Sequence, residues 1–86
     1  MARVRIYTTR TCGYCVAAKN LLAKKGLAYE EIPVDGNAAL LSELVVKTGR
    51  HTVPQIWLGE KHVGGYDDLR RLEQSGELDR LLAALV

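Results

Sequence analysis

The chain has 86 residues, which is enough for one small domain and too few for two. Hydrophobic residues make up 48% and charged residues 26%, a globular rather than a disordered composition. The net charge of +2 and the scattered basic residues argue against nucleic-acid binding. The longest apolar run, Leu81 to Val86, is far shorter than the ~20 residues of a membrane span, and no secretory signal pattern is visible. We therefore expect a cytoplasmic protein with one domain over residues 1–86.

The first part of the chain has the pattern of a strand, a helix and a second strand. Alternating polar and apolar residues over Arg3–Tyr7 predict a half-buried strand, and Thr8–Thr11 is predicted to be a polar turn. Small and apolar residues recur at helical spacing from Cys15, and Gly26 marks the end of this helix. Leu27–Val34 is predicted to be a strand, and Pro33 favours a position at the sheet edge.

The second part predicts a helix, a hairpin and a C-terminal helical region. The helix follows the turn at Asp35–Asn37 and ends at Gly49. The hairpin pairs Gln55–Leu58 with Lys61–Val63. The apolar stripe of the last region consists of Leu69, Leu72, Leu78, Leu81, Leu82 and Leu85. The order strand, helix, strand, helix, hairpin, helix predicts an α/β fold with parallel and antiparallel pairs.

Cys12 and Cys15 lie at the predicted junction of the first strand and the first helix. Two residues three apart in a helical turn lie on one side, within the ~4.4–6.8 Å Cα separation of a disulfide. A helix N-terminus favours an anion, so Cys12 is expected to be the attacking thiolate. Cys15, one turn inside the helix, is expected to resolve the mixed disulfide.

Two inert core cysteines and half of a zinc site are the other interpretations of this pair. A closed zinc site needs four ligands, and neither His51 nor His62 has ligand spacing to the cysteines. A Cys-x-x-Cys motif in a strand–helix context is typical of redox proteins. We therefore favour redox chemistry and expect no metal site built from this chain alone.

The segment Thr52-Val53-Pro54 precedes the third predicted strand. Proline cannot donate to a sheet, so it marks a strand start or an edge. A trans bond is the usual geometry, since only ~5–6% of X–Pro bonds in folded proteins are cis. If the bond were cis, the N–H and C=O of Val53 would be free to pair with an extended peptide.

Gly64 and Gly65 precede two acidic residues, Asp67 and Asp68. A flexible turn followed by an acidic first helical turn explains them without a ligand. The other interpretation is a site for an α-amino-acid group. Helix N–H groups bind a carboxylate, and an aspartate accepts an ammonium group. The γ-glutamyl end of glutathione has this chemistry.

Together these motifs resemble those of the glutaredoxin family over nearly the whole chain, and those of its short bacterial glutaredoxin 3-like group in particular. The matching segments are Ile6-Tyr7-Thr8, Cys12-Gly13-Tyr14-Cys15, Thr52-Val53-Pro54-Gln55 and Gly64-Gly65-Tyr66-Asp67-Asp68-Leu69. The resemblance implies a thioredoxin fold, with a four-stranded mixed sheet flanked by helices. It also implies a cis proline before the third strand.

The resemblance further implies roles for individual residues. Cys12 would be the nucleophile and Cys15 the resolving thiol. Glutathione would lie antiparallel to the segment around Val53, with its γ-glutamyl end at the Gly-Gly turn. The residues implied in glutathione binding are Tyr14, Thr52, Val53, Pro54, Gly65, Tyr66, Asp67 and Asp68.

The chain departs from the family pattern at two positions near Cys12. Gly13 stands where the dithiol motif usually has proline, and Thr9 stands where many members have lysine. Arg10, beside Thr9, is therefore a candidate for the positive charge that supports the thiolate.

The function implied is that of a monomeric, glutathione-dependent thiol–disulfide oxidoreductase. Its substrates would be glutathionylated proteins and protein disulfides, and neither nucleic acid nor membrane is an expected partner. The alternative is a carrier of a [2Fe–2S] cluster, bound by Cys12 of two chains and by two glutathione thiolates. Gly13 favours this alternative, because loss of the motif proline accompanies cluster binding in the family. Dependence on thioredoxin reductase is disfavoured by Tyr66-Asp67-Asp68.

Overall fold

Four strands form one mixed sheet in the computed structural model, which describes residues 3–84. Strand β1 (Val4–Thr8) is parallel to β2 (Tyr29–Pro33) and antiparallel to β3 (Gln55–Leu58), which is antiparallel to β4 (Lys61–Gly64). Their order across the sheet is β2-β1-β3-β4. The predicted mixed sheet and the predicted edge position of β2 are therefore confirmed.

Helices pack on both faces of this sheet. They are α1 (Gly13–Lys24), α2 (Ala38–Thr48), α3 (Tyr66–Ser75) and α4 (Glu77–Ala83). Asn37 caps α2 by accepting the N–H of Leu40 through its side chain. No helix within residues 3–84 has the length and apolar character needed to cross a membrane.

The core has a cluster on each side of the sheet. On the side of α1, α3 and α4, Ile6 and Ile56 contact Leu22, Leu69 and Leu78. The cluster on the side of α2 consists of Tyr7, Val34, Leu44 and Trp57. The prediction of a half-buried first strand is therefore wrong, because β1 is covered on both faces and four of its five residues are buried. Thr8, expected in the turn, is the last residue of β1 and is buried.

The predicted C-terminal helical region consists of two helices rather than one. Gly76 separates α3 from α4 and has a φ of +79°, a left-handed conformation that ends α3. Leu69 and Leu78, one from each helix, still reach the same core cluster. Leu85, also predicted in the apolar stripe, lies outside the described residues, as does Val86.

Candidate functional site

Cys12 is the N-cap residue of α1 and has an extended backbone, as expected from its position after β1. Its Sγ accepts a hydrogen bond from the N–H of Cys15 at 3.0 Å. The same sulfur lies 3.5 Å from the carbonyl oxygen of Val53, to which the thiol donates. The sulfur of Cys12 thus lies between the first turn of α1 and the segment that precedes β3. Its predicted position at a helix N-terminus is confirmed.

Cys15 has a different environment from Cys12. Cys12 is half-buried, whereas Cys15 is only 1% exposed, and both are free thiols in this structure. Burial, followed by the hydrogen bond with Cys12, raises the pKa of Cys15 to about 12. At neutral pH the buried thiol therefore keeps its proton.

A cavity of about 280 Å³ lies beside these cysteines, between the start of α1, the segment before β3 and the start of α3. Its lining consists of Tyr14, Arg50, Thr52, Val53, Pro54, Gly65, Tyr66, Asp67 and Asp68. All eight residues predicted to bind glutathione therefore meet around one cavity. The rings of Tyr14 and Tyr66 stack on each other, with centroids 6.1 Å apart. The Val53–Pro54 peptide bond is cis, as the resemblance implied.

The turn before α3 is held by the carboxylate of Asp68. Its Oδ2 accepts the N–H of Gly65 at 2.9 Å and a guanidinium N–H of Arg50, also at 2.9 Å. These two hydrogen bonds hold the pKa of Asp68 below its usual value, and the bond from Arg50 has the larger effect. Gly64 is required here, because its φ is +118° and a Cβ would collide with the Asp68 carboxylate. Asp67, in contrast, is exposed and makes no ion pair within residues 3–84.

Arg50 is the lining residue that the sequence interpretation missed. It follows the C-terminal glycine of α2 and reaches across the cavity to Asp68. A cation two residues before Thr52 was the available signal in the sequence. The guanidinium of Arg50, paired with Asp68, adds cationic N–H donors to this end of the cavity beside the N-terminus of α3.

Two further cations lie near the cysteines, and each is paired with a carboxylate. Arg10, the predicted support for the thiolate, has an 88% exposed side chain whose Nε lies 3.2 Å from Asp35. Lys19 lies one turn after Cys15 and pairs with Glu31 at 3.1 Å. A second cavity, of about 240 Å³, is lined by both cysteines and by Arg10, Lys19 and Glu31. Support of the thiolate by Arg10 stays a prediction. Among residues 3–84, no three His, Cys, Asp or Glu side chains group as they would around a metal ion.

Comparisons with known proteins agree with this geometry. The family model of glutaredoxin matches residues 4–63. A glutaredoxin of Pseudomonas aeruginosa is 56% identical over 84 residues, which cover 98% of this chain and 100% of that protein. Glutaredoxin 3 of Escherichia coli is 52% identical over 82 residues, or 95% of this chain and 99% of that one. The crystal structure of a buckwheat glutaredoxin–glutathione complex superposes with a TM-score of 0.91 at 30% identity, covering 98% of this chain and 79% of the other. The predicted family and the thioredoxin fold are confirmed.

Proposed function

Since the chain belongs to the glutaredoxin family of thiol oxidoreductases, we propose that it uses glutathione to reduce glutathione mixed disulfides and protein disulfides. One observation carries the proposal. The Sγ of Cys12 lies at the N-terminus of α1, 3.5 Å from Val53, and Val53 lines the cavity that collects the predicted glutathione-binding residues. We propose one glutaredoxin domain that acts as a monomer in the cytoplasm.

The charges around the cavity suit the γ-glutamyl end of glutathione. Its α-carboxylate would lie near Arg50 and the first N–H groups of α3, where the guanidinium and the helix dipole both favour an anion. Its ammonium group would pair with Asp67, whose carboxylate is exposed. The peptide would then extend along Val53 toward Cys12, past the stacked rings of Tyr14 and Tyr66. The buckwheat glutaredoxin in the comparison is a glutathione complex, which supports glutathione as the ligand of this chain.

In the monothiol route, the thiolate of Cys12 attacks the glutathione sulfur of a mixed disulfide. The sulfur–sulfur bond of the substrate breaks, and the substrate leaves as a thiolate that takes a proton from water. A second glutathione thiolate then attacks the glutathione sulfur bound to Cys12. This step forms glutathione disulfide and returns Cys12 to the thiolate. The net reaction consumes one free glutathione, because the glutathione of the mixed disulfide supplies the other half of the glutathione disulfide. The N–H of Cys15, 3.0 Å from the Cys12 sulfur, favours the anion before attack and after release.

In the dithiol route, Cys12 attacks a protein disulfide and Cys15 completes the reduction. Cys15 loses its proton and attacks the Cys12 sulfur, which releases the reduced protein and forms the Cys12–Cys15 disulfide. The raised pKa of Cys15 keeps this residue protonated until then, so it does not compete for the substrate. Two glutathione molecules then reduce the internal disulfide in successive exchanges.

The test is steady-state reduction of a small glutathione mixed disulfide by two matched variants. Cys12→Ser should abolish activity, because the thiol at the helix N-terminus is lost. Cys15→Ser should keep a substantial part of it, because the monothiol route needs no resolving thiol. With a protein disulfide as substrate, both variants should be inactive. Equal loss in both variants on the mixed disulfide would contradict this division of roles.

A second candidate function, the [2Fe–2S] cluster carrier, is favoured by the open surface around Gly13. Gly13 is exposed, and a Cβ at this position would meet nothing within 4 Å. Cys12 is half-buried and Cys15 is buried, so Cys12 is the thiolate that could reach a second chain. Thiolates are suitable ligands for such a cluster, with Cys12 from each of two chains and two glutathione molecules supplying four. When bound, the cluster would be cargo for transfer.

A further inference from the structure

A chain of hydrogen bonds connects the Thr52-Val53-Pro54 segment with His62 through Gln55. The amide nitrogen of Gln55 donates to the carbonyl oxygen of Thr52 at 3.0 Å and lies 3.5 Å from its hydroxyl. The amide oxygen of Gln55 lies 2.8 Å from Nε2 of His62. Gln55 is fully buried, and neither Gln55 nor His62 lines the cavity.

The direction of these bonds follows from the chemistry of the groups. The amide nitrogen of Gln55 is committed to Thr52, so its amide oxygen is the acceptor for His62. His62 must therefore carry a hydrogen on Nε2. Every donor in this relay then has an acceptor, and the amide plane of Gln55 is fixed at both ends.

The relay is anchored in the core. The ring of His62 packs on Trp57 with centroids 4.6 Å apart. Trp57 in turn packs edge-on against Tyr7 of β1, with centroids 5.2 Å apart. The position of His62, and through it that of Gln55, is thus set by the aromatic cluster on the α2 side of the sheet.

The segment at the other end of the relay belongs to neither a helix nor a strand. It therefore depends on side-chain contacts for its position, and Thr52 is exposed to solvent. Its next residue, Val53, has its carbonyl oxygen 3.5 Å from the sulfur of Cys12. A rotation of the Thr52 carbonyl would move the Val53 backbone relative to both the cavity and this sulfur.

We propose that Gln55 and His62 are positioning residues, which hold the Thr52 carbonyl so that the Val53 backbone faces glutathione beside Cys12. This inference rests on the proposed use of glutathione. According to this inference, Gln55 and His62 affect the binding of glutathione although neither residue contacts glutathione. A purely structural role would instead change stability and leave binding intact.

The test compares kinetic constants for a glutathione mixed disulfide in three variants. Gln55→Met removes the amide and keeps the side-chain length. Because Thr52 is exposed, water can replace the lost hydrogen bond to its carbonyl oxygen. His62→Phe keeps a ring against Trp57 and removes the Nε2 donor, whereas His62→Gln supplies an N–H at a similar distance from the backbone. We expect Gln55→Met to raise KM about threefold to tenfold, as for loss of a neutral hydrogen bond, with kcat changed less than about twofold. His62→Phe should raise KM in the same direction, and His62→Gln should return it toward the wild-type value.

Wild-type KM values in both Gln55→Met and His62→Phe would overturn the proposal, whatever their melting temperatures. If the wild-type protein does not turn over glutathione mixed disulfides at all, the proposed function is wrong. The positioning of Val53 by Gln55 and His62 is then tested without substrate. The readout is then the amide resonance of Val53 in the ligand-free protein. It should shift in Gln55→Met and His62→Phe and return in His62→Gln. A Val53 resonance that stays unchanged in both variants would also overturn the proposal.

Discussion

Asp67 and Asp68 stand side by side in the first turn of α3, yet they have different partners. Asp68 accepts hydrogen bonds from the N–H of Gly65 and from Arg50, so its carboxylate is already occupied in the ligand-free protein. Asp67 is exposed, lines the cavity and makes no ion pair among residues 3–84. Sequence alone treats the two acids as equivalent. From their contacts we propose that Asp67 binds the ligand and that Asp68 holds the turn.

The two roles predict different effects of neutral variants. Asp67→Asn should raise KM for glutathione about tenfold to a hundredfold without changing stability, because a charged hydrogen bond contributes about 1.5–3 kcal/mol. Asp68→Asn should lower the free energy of unfolding by about 1 kcal/mol, as for loss of a helix cap. Steady-state kinetics and urea unfolding of both variants measure this. A stability loss in Asp67→Asn together with unchanged stability in Asp68→Asn would reverse the assignment.

The contribution of Asp68 should also depend on pH. Arg50 and the N–H of Gly65 lower the pKa of Asp68 below its ordinary 3.8, so the unfolded chain binds this proton at a higher pH than the folded protein. The stabilisation is therefore complete from about pH 5 upward and is lost as the pH falls through the lowered pKa. The stability difference between wild type and Asp68→Asn should be constant near neutrality and shrink in acid. Urea unfolding over a series of pH values checks this.

At the scale of the elements, the sequence predicted every strand and the first two helices. The first strand was predicted from its alternating pattern, and glycines or prolines mark ends of the other elements. It did not predict the division of the C-terminal region into α3 and α4. Leu69 and Leu78 face the same core cluster from both helices, so the apolar stripe continues across Gly76. A single glycine within such a stripe is compatible with one helix or with two, and only its positive φ distinguishes them.

The candidate site, too, could be predicted from the sequence only in part. Its eight predicted residues could be named because they lie in short motifs that resemble a known family. The contact of Arg50 with Asp68, and the relay from His62 to Gln55, could not be predicted in this way. Their contacts join residues on different elements, and such pairings depend on the folded backbone rather than on spacing along the chain.

At the scale of the whole molecule, the surface around Cys12 and Gly13 bears on the second candidate function. Wild-type protein treated with iron, sulfide and glutathione should form a brown dimer, and Gly13→Ala should do the same. Gly13→Pro should remain a colourless monomer with its oxidoreductase activity intact. Proline is accepted at the first position of α1, but its fixed φ restrains the loop that must adapt when Cys12 binds iron. Size-exclusion chromatography at the cluster absorbance measures both properties. If the wild-type protein stays colourless with glutathione in excess, the cluster-carrier proposal is contradicted and only the oxidoreductase proposal remains.

The central claim is that Cys12 alone takes up the glutathionyl group, and mass spectrometry of the intact protein tests it most directly. Cys15→Ser is mixed with a glutathione mixed disulfide, the reaction is stopped in acid, and the modified residue is located by peptide mapping. The proposed function predicts one glutathionyl group on Cys12, which excess glutathione removes, and none on Cys12→Ser treated in parallel. An unmodified Cys12 in Cys15→Ser, or a glutathionyl group on Cys15 of Cys12→Ser formed at a comparable rate, would contradict it.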